Sequence, residues 1–162
     1  AFDRHSDVFD TLGGNVVYIG GSGHGQVSKL VNQLLMGAIY CSVAESFAFA
    51  SQLGVDVERV YEAVEFGGAK SGLLSGMKQG ILTGQYGGKH YLAQHGKDID
   101  YAMEEANRHH SYMPIAASVH EVWNLARLKG YSHLNSQSIF ALWEDILGKK
   151  LNDNSAKEGQ QP

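Results

Sequence analysis

Between Val27 and about Leu53 the chain carries Leu30, Val31, Leu34, Leu35, Ala38, Ile39, Val43, Ala44, Phe47, Ala48 and Ala50, with Gly37 its one glycine and no proline. These positions follow helical spacing but cover more than one face, which predicts a long helix at the centre of a bundle or between two domains. Gly54 stands where a left-handed cap ends such a helix, and Asp56 can cap a second whose Val57, Val60, Tyr61 and Val64 share a face. Gly67 and Gly68 close that one, a short apolar segment runs from Leu73 to Leu82, and a glycine-rich turn spans Gly84 to Gly88. Ile99, Ala102, Met103 and Ala106 mark a further helix. Pro114 suits the first turn of another, which carries Val119, Val122, Trp123 and Ala126 and stops at Gly130. A last helix is expected from about Ser136 to Leu147, with Ile139, Leu142, Trp143 and Ile146 facing inward.

The opening is different. Gly13-Gly14-Asn15 is a turn signal, and the β-branched and aromatic run Val16 to Ile19 predicts one short strand. The expected architecture is therefore all-α, a helical bundle around one long central helix, preceded by that strand. Residues 1–26 form the strand and glycine loop, 27–150 the helical domain, and 151–162 a polar, disordered tail. No internal repeat occurs at solenoid spacing.

The length of 162 residues, 43% hydrophobic and 19% charged, suits one domain with a real core. Two prolines, one cysteine and a formal net charge of −4 exclude a disulfide scaffold, a collagen-like chain, a low-complexity linker and a polybasic nucleic-acid binder. No uninterrupted apolar stretch reaches the roughly 18 residues of a membrane span, and the first twenty lack a signal-peptide layout. The expectation is a soluble, cytoplasmic protein with no membrane partner. The chain begins at Ala1 rather than methionine, which suggests truncation or processing.

The densest chemical signal runs from Gly20 through Gly23, Gly25, Lys29 and Asn32 to Gln33, a glycine loop opening the long helix. Glycines let backbone N–H groups approach a ligand, and a helix start carries partial positive charge, so Gly23 is placed to receive an anionic substrate. A dinucleotide fingerprint is missing its third glycine, and Gly25 is followed by Gln26 rather than the Lys-Ser/Thr of a phosphate loop. Lys29 and Asn32 are three apart and Gln33 four, so the three share a helix face. A lysine in the first turn faces the unfavourable end of the helix dipole, which favours the neutral amine and suits a proton donor and acceptor. The residues alone leave a second reading open, a plain glycine turn followed by a solvated lysine.

The Gly-x-x-Gly-x-Gly-x-x-x-Lys-x-x-Asn pattern, with Ala44-Glu45, Gly68-Ala-Lys-Ser71, Lys97-Asp98-Ile99 opening a helix, Pro114 and Gly130-Tyr131, resembles the second domain of the β-hydroxyacid dehydrogenases. That family includes 3-hydroxyisobutyrate dehydrogenase, tartronate semialdehyde reductase and L-threonate dehydrogenase. The resemblance covers roughly residues 8 to 147 and implies a fold like the 6-phosphogluconate dehydrogenase C-terminal domain. It implies an NAD(P)-dependent oxidoreductase interconverting a small β-hydroxyacid and its semialdehyde or keto acid. Lys29 would be the catalytic acid/base and Asn32 would hold the substrate's hydroxyl or carboxylate. Gln33, similar to the tartronate semialdehyde reductases, would contact substrate, and Lys97 would lie near the cofactor. NAD or NADP would be held mainly by an N-terminal dinucleotide-binding domain, of which residues 1–26 are the junction. The fragment alone would bind cofactor weakly and be inactive, and the long, broadly apolar helix from Val27 argues for burial against another chain or domain, hence a homo-dimer or homo-tetramer. Alternatives of the same fold are a non-catalytic oligomerisation module and a short-aldehyde or imine reductase.

The chain departs from the family at His90, where phenylalanine is usual, and at Asn135, Ser136 and Gln137, in place of Asp followed by His-Ser. His24 sits within the glycine loop and could touch substrate. His109 and His110 point about 100° apart on a helix with no carboxylate at ligand spacing, so no metal site is expected. Cys41 reads as a buried, inert thiol. Glu104-Glu105 and Lys149-Lys150 read as solvated faces, and Trp123 and Trp143 as core or subunit contacts.

Overall fold

The computed structural model describes residues 2–86 and 91–153. Seven α-helices are formed among these residues: α1 Ser6–Leu12, α2 His24–Gln52, α3 Val57–Val64, α4 Gly72–Thr83, α5 Leu92–Arg108, α6 Pro114–Leu128 and α7 Ile139–Leu147. The bundle closes around the C-terminal half of α2, where Tyr40, Cys41, Ala44, Phe47 and Ala48 are buried. Trp123, Ala126, Leu92, Ile99 and Ile139, contributed by α5, α6 and α7, are fully enclosed against it.

Local chemistry sets the helix ends. Asp56 caps α3 by accepting the N–H of Glu58, and Ser71 caps α4 by accepting that of Leu74. Pro114 is the first residue of α6, and Gly84, Gly130 and Gly148 take the left-handed conformation beyond helix ends. The last helix begins as a 3-10 turn at Ser136–Ser138 before becoming α7.

Small residues bring the central helices together. A Cβ on Gly37 of α2 would lie 2.9 Å from Val119 and 3.4 Å from Ile99, and one on Gly96 of α5 would lie 2.9 Å from Trp123. Glycine at 37 lets α5 and α6 close on α2, and glycine at 96 lets α6 close on α5. On α5, Asp98 turns toward α2 while Asp100 turns toward α6, where Arg127 donates to it with both guanidinium nitrogens at 3.0 and 2.7 Å. α5 is thus braced on two sides.

Several expectations are corrected. Val16 to Ile19 form no ladder: among the described residues there is no neighbouring strand to pair with, and Val17 and Tyr18 are exposed. A short helix, α1, precedes them, and Phe2 stacks on Phe9 and packs at a tilt against Tyr18, each with centroids 5.1 Å apart. The long helix starts at His24, not Val27, so Lys29 is its sixth residue and lies in the second turn, beyond the reach of the terminal dipole. Lys97-Asp98-Ile99 lies inside α5, not at its start. Ile146 is 61% exposed, and Glu144, two residues before it on α7, is buried instead.

The segment expected to begin a disordered tail is also anchored. Leu151 is 2% exposed, and Asn152 donates to the carbonyl of Leu82. Buried Glu144 accepts from the Tyr86 hydroxyl, the Leu151 N–H and Lys150, while Lys149 caps the end of α2 through the Ser51 carbonyl. These two lysines therefore clasp the chain rather than simply facing solvent. Residues 154–162 and His90 lie outside the described residues. By length and composition α2 could cross a bilayer, yet 44% of its most apolar window is buried inside the fold, as in a core helix.

Candidate active site

Residues 29, 32, 33 and 36 fall on one face of α2 because they follow the i, i+3, i+4, i+7 spacing, and Gln94, His95 and Asp98 face them from α5. Together with Lys97 these side chains line a cavity of about 490 Å³. A second cavity of about 720 Å³ shares Lys29, Lys97 and Asp98 as its inner wall and extends along Gly23, His24, Gln26, Val27 and Tyr101. The three charged residues thus separate an inner chamber from an outer one.

Asp98 is the hub of that wall. Its side chain is 8% exposed, Oδ1 accepts from Lys29 Nζ at 2.9 Å, and Oδ2 accepts from Gln33 Nε2 at 2.9 Å. Lys97 Nζ lies 3.8 Å from Oδ1 and 5.8 Å from the Tyr101 ring centroid. Burial pushes the Asp98 carboxyl up, but the hydrogen bonds from Lys29 and Gln33 and the charges of Lys29 and Lys97 outweigh it and hold the group below the usual carboxylate range. Lys29 is half exposed, with its amine at the junction of both chambers.

Behind the wall, His95 Nε2 donates to the Gln33 carbonyl at 2.9 Å, and its ring packs edge-on to Trp123 and Tyr40 at 4.9 and 5.9 Å. The carbonyl can only accept, so Nε2 carries the hydrogen. This bond and Gly37 fix the height of α2 against α5, and with it the meeting of Lys29 and Asp98.

The structure thus brings Lys97 of α5 together with Lys29, Asn32 and Gln33, which share one face of α2. Asn32 faces the inner chamber and donates weakly to Met36 Sδ at 3.3 Å. Gly23 is the left-handed N-cap of α2 and borders only the outer chamber, beside His24, whose ring turns back over Gly20. Sequence reading missed Asp98, Gln94, His95 and Met36 as lining residues. Asp98 carried a signal, an acidic residue next to a candidate cofactor lysine. Nothing local distinguished the other three.

Elsewhere, His109 and His110 end α5 on the surface, and no cluster of three metal-ligating side chains occurs among the described residues. Cys41 is buried, and desolvation by burial, with the charge of Glu45, pushes its thiol up to about 12.

The family model described as NAD-binding of NADP-dependent 3-hydroxyisobutyrate dehydrogenase matches residues 23–143. An uncharacterised oxidoreductase of Bacillus subtilis is 31% identical over 143 residues, which are 88% of this chain and 50% of that protein. The 2-hydroxy-3-oxopropionate reductase of Escherichia coli is 29% identical over 150 residues, 93% of this chain and 51% of that enzyme. Among solved structures, a 3-hydroxyisobutyrate dehydrogenase from Salmonella typhimurium shares the fold, with a TM-score of 0.80 and 24% identity over 88% of this chain and 50% of that one. The chain spans about half the length of the curated relatives it matches.

Proposed function

Because the chain belongs to the 3-hydroxyisobutyrate dehydrogenase family, we propose that it is the substrate-side domain of an NAD(P)-dependent oxidoreductase acting on a small β-hydroxyacid or its semialdehyde. The observation that carries this reading is the Lys29 amine at the meeting point of two chambers, held by a carboxylate from a different helix. The inner chamber suits a small polar acid. The outer one, with Lys97 lying near the Tyr101 ring, suits the reacting end of a nicotinamide cofactor. That cofactor, bound mainly by a dinucleotide-binding domain, would supply or accept the hydride.

The residues of this chain manage the proton and the charge. In the reductive direction Lys29 donates a proton to the carbonyl oxygen, and its charge steadies the oxygen as it becomes negative. In the oxidative direction it takes the proton of the hydroxyl. Asn32 orients the substrate, and Asp98 keeps Lys29 from folding out to solvent.

The test is Lys29→Ala in the protein carrying this chain with a dinucleotide-binding domain. Turnover should fall by about 10²- to 10⁴-fold, with cofactor affinity nearly unchanged. Equal loss of both would overturn the assignment. The exposed apolar residues Val27, Val31 and Leu35 on α2 support burial against another domain or a second copy, which sedimentation would reveal as a dimer or tetramer. A stable, well-behaved monomer in sedimentation would oppose it.

A further inference from the structure

Gln33 meets α5 twice, at positions about one helical turn apart. Its side chain donates to Asp98 Oδ2, and its backbone carbonyl accepts from His95 Nε2, both at 2.9 Å. A carbonyl inside a helix already accepts from the N–H four residues on, and its second lone pair can take a further donor. A donor reaching that carbonyl from another helix ties a side chain of α5 to the backbone of α2, which no rotamer change on α2 can follow. His95 itself is held firmly. It is 4% exposed, and its ring meets Trp123 of α6 and Tyr40 of α2 edge-on at 4.9 and 5.9 Å. Trp123 is fully enclosed and donates through Nε1 to the Leu92 carbonyl at the start of α5. The imidazole therefore joins three helices directly behind the wall that carries Lys29 and Asp98.

We infer that His95 is a positioning residue for the reaction: through the backbone of Gln33 it holds the Lys29 amine and the Asp98 carboxylate in register, without touching the reacting atoms. This inference rests on the oxidoreductase reading above and adds a residue to it. Lys29 lies one turn before Gln33 on α2, and Asp98 one turn after His95 on α5, so the His95–Gln33 bond and the Asp98 hub span the same pair of turns. The Nε2–H is committed to the carbonyl and does not serve as a proton donor to substrate. Without that bond α2 is free to slide against α5. The half-exposed Lys29 stem can follow a small slide and keep its ion pair, but its amine then leaves the line of proton transfer. Such a displacement acts on the chemical step more than on ground-state binding, so it lowers kcat and leaves KM nearly unchanged.

The experiment uses the protein that carries this chain with a dinucleotide-binding domain. It follows reduction of 2-hydroxy-3-oxopropionate by NADH or NADPH, or oxidation of 3-hydroxyisobutyrate by NAD or NADP, whichever the wild type turns over faster. His95→Met and His95→Gln give side chains of the same length and similar volume, but only glutamine carries a donor for the carbonyl. His95→Met should lower kcat by ~10-fold and change KM by less than about threefold. His95→Gln should bring kcat back to within about threefold of wild type. In an Asp98→Asn background His95→Met should cost less than about a further threefold, because the register it protects has already lost its hub. Failure of glutamine to rescue overturns the inference, as does a loss of about tenfold in both backgrounds. If His95→Met gives no cooperative thermal melt, His95→Gln alone decides: kcat within about threefold of wild type supports the inference and a loss of about tenfold overturns it. A wild type that is active and depends on Lys29, with kcat unchanged in His95→Met, overturns this inference and leaves the oxidoreductase reading intact. Turnover of neither compound overturns both.

Discussion

Lys29 and Asp98 are 69 residues apart in the chain, and their side chains meet at 2.9 Å. One partner is half exposed and the other almost fully enclosed. A buried carboxylate held by a lysine, a glutamine and a second nearby lysine is a fixed point, and the mobile lysine stem pivots on it.

Asp98→Asn keeps the shape of this hub but removes its charge. An asparagine oxygen can still accept from one of the two donors, while its amide nitrogen, itself a donor, faces the other. Turnover should fall by about tenfold or more, in kcat more than in KM, because Lys29 loses the carboxylate that positions its amine. An unchanged kcat with reduced stability would assign Asp98 a purely structural role.

The carboxyls of Asp98 and Asp100 are both held below their ordinary value of 3.8, burial raising each while its hydrogen bonds and neighbouring cations more than compensate. A group depressed in the folded state contributes stability that is present above its unfolded value and lost as pH falls through the folded one. Urea midpoints should therefore be flat above about pH 5 and decline below about pH 4. The decline should be shallower in Asp98→Asn. An identical decline in the variant would remove Asp98 from the acid response.

Gly37 and Gly76 both sit inside helices, but their surroundings differ. A methyl at Gly37 meets Val119 at 2.9 Å, whereas nothing lies within 4 Å of one at Gly76. Gly37→Ala should destabilise by about 1–3 kcal/mol through overpacking. Gly76→Ala should stabilise by about 0.5–1 kcal/mol through reduced chain entropy. Thermal melts of the two variants should shift in opposite directions, and shifts of the same sign would contradict the packing described.

Cys41 should not react with a disulfide reagent at pH 8 in the folded protein, since burial leaves too little thiolate and no access. Unfolding in urea should expose one reactive thiol per chain. Rapid labelling of the native protein would mean that α2 opens locally.

Leu151→Ala should cost about 2–5 kcal/mol, because this residue is 2% exposed and belongs to the core. A solvated tail would show no measurable change in the unfolding midpoint.

What the sequence determined by itself was set by local rules. Helix-period apolar residues, Asp56 as a cap, Pro114 at a first turn and Gly130 at a stop specify helices through contacts a few residues apart, and these were legible. So was the shared face of Lys29, Asn32 and Gln33, because helical spacing alone produces it. The run Val16 to Ile19 was misread because a strand exists only by pairing, and no partner lies among the described residues. Only the tertiary structure decided that Asp98 is the partner of Lys29, that His95 sets the height of α2, and that Leu151 belongs to the core. Those relationships depend on how closely the helices cross at Gly37 and Gly96. Helical periodicity records which way a side chain faces, and close packing between elements decides what it meets there.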